Sequence, residues 1–246
     1  MTSAWIVSLF AIFVWWFATG AILVAVRRAD RLGNHGAMLV KALPILLFGF
    51  WAVHTSLTEV SVAGVFLGFA GALAIWGWIE LAFLAGVISG PVREDCPQGL
   101  DERARFFRAF GTVAYHELAL AVGFLGLVLA SGGAPNQMAM ATYLILFLAR
   151  ISAKLNLFYG VPRINTEFVP ARLRHLKTYF RKGPTTWAFP VAITMLTAIV
   201  VVCAERLWTA QSDVTVVGFA LLSALSALAL LEHWLMVVPL PDAKLW

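Results

Sequence analysis

Charge is scarce in this sequence. Only 13% of its 246 residues are Asp, Glu, Lys or Arg, about half the share of a typical soluble domain, and 61% are hydrophobic. This composition excludes an ordinary soluble globular protein and predicts that most of the chain lies in lipid. The formal net charge is +5. The basic residues of the sequence sit almost entirely in alternate loops, where they set the membrane topology. The net charge therefore does not indicate a nucleic-acid partner.

The sequence also lacks the usual signatures of catalysis and secretion. Cys96 and Cys203 lie far apart and outside any Cys-x-x-Cys or Cys/His pattern, which excludes a disulfide framework and a zinc site. No Gly-x-Ser-x-Gly, His-Glu-x-x-His, P-loop or dinucleotide fingerprint occurs, so no catalytic residues are assigned and no enzyme class is supported. The N-terminus turns apolar at once, without the basic region or cleavage site of a signal peptide.

Seven long apolar runs fill most of the chain, and each is near the ~20 residues that cross a bilayer as a helix. The predicted spans are residues 3–26, 38–56, 60–88, 107–130, 137–159, 187–208 and 214–238. They leave no room for a separate soluble domain. The sequence therefore predicts an all-α integral membrane bundle of seven transmembrane helices, with residues 1–246 as a single polytopic domain.

The distribution of Lys and Arg predicts the orientation of this bundle. Odd-numbered loops and the C-terminal tail carry nearly all of these residues, from Arg27 in the first loop to Lys244 in the tail, and Arg206 lies on the other side. By the positive-inside rule, the N-terminus is periplasmic and the C-terminus is cytoplasmic. The predicted location is the inner membrane of a bacterium.

The fifth loop contains a short basic segment at residues 170–181. Its apolar residues Leu173, Leu176 and Phe180 recur at helical spacing, opposite a basic face. That face consists of Arg172, Arg174, Lys177 and Arg181. The pattern predicts a short interfacial helix that contacts anionic lipids, and the same face could dock a partner.

Ionisable residues inside membrane spans are costly and suggest function. Several share one depth here, since Glu80 and the pair His116-Glu117 each lie roughly ten residues, or about 10 to 15 Å, from the basic ends of their spans. The predicted polar layer comprises Glu80, His116, Glu117, Arg150, Lys154, Asn156, Glu232 and His233. A buried ion-pair network is one interpretation of it.

Two sharper interpretations stay open. Glu and His are the ligand types of a carboxylate-bridged di-iron site, but adjacent pairs such as His116-Glu117 point about 100° apart on a helix, which disfavours a metal. Alternatively, a neutral His could ligate the metal of a chlorophyll or a haem, and His54, His116 and His233 are the candidates. His54 lies near the periplasmic end of its span, where a plain hydrogen-bonding role is the alternative.

Several rare strings are spread along nearly the whole chain. They are Trp76-Gly-Trp-Ile-Glu80, Phe83-Leu-Ala-Gly86, Gly90-Pro91, Cys96-Pro97, Gly99, Tyr115-His-Glu-Leu-Ala-Leu120, Pro135-Asn-Gln137, Ser152-Ala-Lys-Leu-Asn156, Gly160-Val-Pro162, Glu167-Phe168, Pro170, Leu173, Leu231-Glu-His-Trp234 and Pro239-Leu-Pro-Asp242. In these strings the chain resembles the photosynthetic complex assembly proteins of the PuhE type from purple phototrophic bacteria. It departs from the family at Ala134, where Gly is expected, and at Val92, where a basic string is expected.

The resemblance implies a role in forming the photosynthetic core, which is the reaction centre with its surrounding light-harvesting antenna. It implies core complex subunits or other assembly factors as partners, a link to the supply of bacteriochlorophyll or a precursor, and a cytoplasmic or intracytoplasmic membrane. It carries over no catalytic residues. The alternative is a membrane-embedded tetrapyrrole- or metal-binding enzyme of pigment metabolism.

Overall fold

The computed structural model describes residues 3–238, and within them regular structure is helical. The α-helices are α1 (Ala4–Leu32), α2 (His35–Lys41), α3 (Leu43–Ser56), α4 (Val62–Leu84), α5 (Glu102–Ser131), α6 (Met138–Tyr159), α7 (Ala188–Trp208) and α8 (Asp213–Trp234). Across this part of the chain, β pairing is limited to an isolated bridge between Val161 and Lys182.

Seven helical spans in the described residues are long and apolar enough to cross a membrane, with α2 and α3 together forming the second. The prediction of an all-α bundle with seven such spans is therefore confirmed. The predicted orientation stays a prediction. The tail with Pro239, Asp242 and Lys244 lies outside the described residues.

Several helix boundaries differ from the predicted spans, because hydropathy marks the apolar part of a helix and not its ends. α1 continues through Arg27 and Arg31 to Leu32, where Gly33 adopts a left-handed φ of 65° and caps it. α5 begins at Glu102, where the Asp101 side chain accepts from the amide of Ala104 at 2.8 Å. α4 ends at Leu84, four residues before the predicted limit of residue 88.

α4 lies at the centre of the bundle, where it contacts α1, α3, α5, α6 and α8. Glycines bring its neighbours close. A Cβ atom at Gly71 would lie 2.9 Å from the backbone nitrogen of Val53 on α3, and one at Gly68 would lie 3.2 Å from that of Ala139 on α6. Such close backbone approach through small residues is how membrane helices gain packing contacts when lipid supplies no hydrophobic driving force.

The Lys- and Arg-rich loops gather at one end of the bundle, here called the basic end, and Arg105 joins them. Its guanidinium donates to the carbonyls of Phe158 at 2.9 Å and Tyr179 at 2.7 Å, and it lies 4.0 Å from the centroid of the Phe158 ring. The start of α5, the end of α6 and the fifth loop are thereby held together.

The predicted basic segment of the fifth loop forms a 3₁₀ helix, Ala171–Tyr179, here called the loop helix. Leu173 and Leu176 are buried against Phe83 of α4 and so face protein and not lipid. Burial also lowers the pKa of His175 from its usual value, which favours the neutral ring inside this packing. Arg172, Arg174, Lys177 and Arg181 are exposed. Contact of this basic face with lipid or a partner stays a prediction.

Replacing Arg105 with Ala should loosen the basic end, because two carbonyl acceptors lose a charged donor. We expect a loss of about 3 kcal/mol in the free energy of unfolding in detergent, together with faster proteolysis within residues 160–187. Arg103 is exposed and lies two residues earlier, so Arg103→Ala is the matched control and should change neither reading. Equal effects of the two variants would contradict the role assigned to Arg105.

Candidate functional site

Five of the predicted polar residues form one connected group, here called the polar chain, between α4, α5 and α6. Arg150 donates to Glu80 Oε2 at 2.7 Å, and His116 Nε2 lies 3.5 Å from Glu80 Oε1. On the other side of the ring, Lys154 Nζ lies 2.8 Å from His116 Nδ1 and donates to Glu117. The order along the chain is thus Arg150, Glu80, His116, Lys154, Glu117.

The protonation of His116 follows from its neighbours. A Lys ammonium can only donate, so His116 Nδ1 accepts from Lys154 and the ring proton lies on Nε2, facing Glu80. With a neutral imidazole, two cations balance two carboxylates. The polar chain therefore has no net charge, which is the condition under which charged groups are tolerated in lipid.

Phe83 packs against the polar chain. His116 is 0% exposed, and its ring centroid lies 4.2 Å from that of Phe83. The cations of Arg150 and Lys154 also lie over the Phe83 ring, at 5.8 and 5.4 Å from its centroid. Because the loop helix packs on the same phenylalanine, Phe83 connects the fifth loop with the polar chain.

A non-helical stretch after α4, residues 85–92, runs against α5 and is here called the re-entrant segment. The backbone amides of Tyr115 and His116 donate to the Ser89 carbonyl at 3.1 and 3.2 Å, and the Val92 amide donates to the Gly111 carbonyl at 3.1 Å. In a regular helix Gly111 would accept from Tyr115. In the turn of α5 that precedes His116, backbone groups of the helix therefore form hydrogen bonds with the re-entrant segment.

Two other predicted residues form a separate group between α6 and α8. His233 Nε2 lies 2.8 Å from Ser152 Oγ, while Nδ1 donates to the Ala229 carbonyl at 2.8 Å. Asn156 donates to the Ser152 carbonyl at 2.9 Å. Hydrogen bonds with protein groups thus occupy both ring nitrogens of His233, whereas His116 has a hydrogen bond at Nδ1 and only the 3.5 Å contact with Glu80 at Nε2.

The remaining predicted residues lie apart from both groups. Glu232 is exposed on α8 and accepts from Trp15 Nε1 of α1 at 3.1 Å. His54 is exposed near the end of α3, away from the basic end. The predicted layer is therefore three sets of contacts, and His54 stands outside all of them.

The donor set fits a metal poorly. Over residues 3–238, no group of three or more His, Cys, Asp or Glu side chains has a geometry that could hold a metal ion. The Lys154 ammonium lies between His116 and Glu117, where a shared cation would have to bind. Of the three histidines considered as pigment ligands, His54 alone has an exposed side chain.

Sequence reasoning missed four residues that complete these groups: Trp15, Phe83, Ser89 and Ser152. None of them is ionisable, so a search for charged side chains in apolar spans passes over them. Phe83 and Ser152 do begin two of the rare strings, Phe83-Leu-Ala-Gly86 and Ser152-Ala-Lys-Leu-Asn156, and those strings were the available signal.

Comparison with known proteins identifies relatives across the full length. Residues 1–246 match the family model described as "Protein of unknown function (DUF3623)". The chain is 47% identical over 248 residues to a protein of Rhodobacter capsulatus described as "Uncharacterized 30.4 kDa protein in puhA 5'region", in an alignment covering 100% of this chain and 90% of that protein. No solved structure matches the chain.

Replacing Gly90 with Ala should displace the re-entrant segment, since a Cβ atom there would overlap the Gly111 carbonyl and lie 2.7 Å from the carbonyl carbon of Thr112. Backbone atoms cannot move aside as a flexible side chain can. We expect a loss of about 1 to 3 kcal/mol in unfolding free energy, measured in detergent. Gly126 on α5 has nothing within 4 Å of its Cβ position, and Gly126→Ala should be tolerated. A stable Gly90→Ala variant would show that the segment does not pack so closely.

A double-mutant cycle on Lys154 and Glu117 tests whether the polar chain is an interacting network. Lys154→Met leaves Glu117 buried without its cation, which should cost about 3 to 5 kcal/mol of unfolding free energy, and adding Glu117→Gln should recover much of that loss. The pair Arg108 and Glu94, 2.6 Å apart with Glu94 79% exposed, is the control. Arg108→Met should cost less than about 1 kcal/mol. Additive effects at Lys154 and Glu117 would argue against coupling.

Proposed function

This chain belongs to the DUF3623 family, and from that membership we propose that it is a membrane assembly factor for the bacterial photosynthetic core complex. The observation that carries the proposal is the Rhodobacter capsulatus relative, which is named for the puhA 5′ region, together with the resemblance of the rare sequence strings to photosynthetic complex assembly proteins. The client is the reaction centre with its surrounding light-harvesting antenna. The protein acts in the cytoplasmic or intracytoplasmic membrane.

The closed polar chain supports a holding role more than a catalytic one. Its charges pair with one another, and Phe83 and the loop helix cover it. A groove of about 370 Å³ lies away from the basic end, between α4, α6 and α8, and its lining is mainly apolar. Such a bundle offers rigid surfaces to partners, while its buried charges keep the helices in one arrangement.

The exposed basic face of the loop helix is the proposed contact for core subunits or other assembly factors. Arg181 pairs with Glu102 at 2.8 Å, which leaves Arg172, Arg174 and Lys177 as the residues of that face with which a partner would pair. In the orientation expected from the positive-inside rule, this face lies in the cytoplasm beside the anionic leaflet. Anionic lipid headgroups are therefore a second ligand of the same face.

A membrane-embedded tetrapyrrole- or metal-binding enzyme is the alternative. One observation favours it: the re-entrant segment places irregular backbone beside buried titratable groups, an arrangement that lines ligand sites in other membrane proteins. Bacteriochlorophyll or a precursor would be the cofactor. Hydrogen bonds at both ring nitrogens of His233 count against it as a ligand, and the unbonded Nε2 of His116 is buried and faces Glu80.

Purification in mild detergent from a phototrophic host tests the proposal. We expect core subunits to copurify, and their recovery to fall several-fold when Arg172, Arg174 and Lys177 are all replaced by Gln. The matched control replaces Arg27, Arg28 and Arg31, which are exposed at the same end, and it should leave recovery unchanged. The absorption spectrum and metal content of the same preparation test the alternative. A pigment or metal near one per chain, without core subunits, would contradict the assembly role.

A further inference from the structure

Glu232 presents a carboxylate on the outer surface of a membrane helix. It lies in the last turn of α8 and is exposed, while its neighbour His233 is 2% exposed and faces the bundle. It lies at the depth of the polar chain, because α8 and α6 meet there through His233 and Ser152. On a helix long and apolar enough to cross a membrane, we expect the outer surface at this depth to face lipid.

The described part of the chain satisfies this carboxylate only in part. Trp15 Nε1 donates to Oε1 at 3.1 Å, and residues 3–238 supply no second hydrogen bond. Residues 3–238 form no ion pair with Glu232, and the guanidinium of Arg150 donates to Glu80 at 2.7 Å. A carboxyl group facing lipid with one neutral donor is costly to ionise, and a cation beside it would offset that cost.

The surface beside Glu232 is suited to another helix. Of the most apolar 18 residues of α1, only 11% are buried within the bundle, against 50% for α4. On α8, Leu231 and Trp234 are exposed on either side of Glu232 and His233. On α1, Phe13 and Phe17 are 57 and 60% exposed, but they lie two residues from Trp15 and therefore point about 160° away from it. The apolar surface directly beside Glu232 is therefore that of α8.

We propose that this α1–α8 face binds a transmembrane helix of a second protein, and that this helix places a Lys, Arg or protonated His side chain opposite Glu232. The charge on Glu232 specifies the chemistry of the partner, since an apolar helix would leave the carboxylate buried and unpaired. Trp15 orients the carboxylate by holding Oε1, which leaves Oε2 for the incoming cation. Leu231, which is adjacent to Glu232 and 50% exposed, supplies apolar contact beside that pair.

The inference that the α1–α8 face binds a helix depends on the proposed function in one respect, since both require a partner within the same membrane. It is separate from the basic face of the loop helix, which lies outside the spans. A partner that is not a photosynthetic subunit would leave the α1–α8 surface valid and overturn the proposed function. Conversely, core subunits that copurify regardless of Glu232 would leave the proposed function standing without this surface.

Photo-crosslinking in native membranes tests the inference. The probe is benzoylphenylalanine in place of Leu231, which is 50% exposed and adjacent to Glu232, and the crosslinked peptide is identified by mass spectrometry. We expect a transmembrane peptide of a second protein with a basic residue within one helical turn of the crosslink. Adding Glu232→Gln, whose amide oxygen can still accept from Trp15, should lower the crosslink yield about tenfold or more. Glu205→Gln is the control, because Glu205 is an exposed carboxylate at the opposite end, 59% exposed beside Arg206, and the yield should not change.

A second variant shows whether a lower crosslink yield with Glu232→Gln comes from misfolding of this chain. Replacing the identified basic residue of the partner with Gln leaves this chain intact and should lower the yield to the same extent. Crosslinks to lipid alone, to another copy of this chain, or to a peptide without a basic residue would each overturn the inference. An unchanged yield with Glu232→Gln would show that the carboxylate is not paired across an interface.

Discussion

The arrangement of this bundle depends on four charged side chains. They must neutralise one another, because lipid cannot solvate them. Arg150 and Lys154 come from α6, Glu80 from α4 and Glu117 from α5, with the His116 ring between the two ion pairs. Removing any one would leave its partner as an uncompensated buried charge. The three helices can therefore differ little in rotation or depth from the observed arrangement, and glycines on α4 permit the close approach to α3 and α6 that this needs.

The cost of leaving backbone groups without hydrogen bonds in lipid accounts for the irregular parts of the fold. α4 ends inside the bundle, and the backbone groups that follow it bond with those of α5 at Gly111, Tyr115 and His116. The loop helix then covers this region through Leu173, Leu176 and Phe83. Arg105 holds the closure by donating to two carbonyls. His116 is thus buried beneath this region, and the surfaces proposed to bind partners are the basic face of the loop helix and the α1–α8 face.

The outer surfaces and the interior of the bundle differ in whether their charged groups are already paired. The interior balances its own charges, and both ring nitrogens of His233 are hydrogen-bonded. Glu232 and the basic residues of the loop helix, by contrast, carry charge outward at two different depths. The internally paired charges and the charged outer surfaces support the proposed holding role in the membrane.

By itself, the sequence determined the helical class, the seven spans and the common depth of the ionisable residues. Those properties depend on residue composition summed along each helix, so they do not require knowledge of neighbours. Only the tertiary structure decided that Glu80, His116, Glu117, Arg150 and Lys154 meet, that Asn156 and His233 pair elsewhere with Ser152, and that Glu232 faces outward. Adjacent residues on a helix point about 100° apart. Which neighbours meet therefore depends on the rotation of each helix about its axis, and that rotation is set by packing between helices.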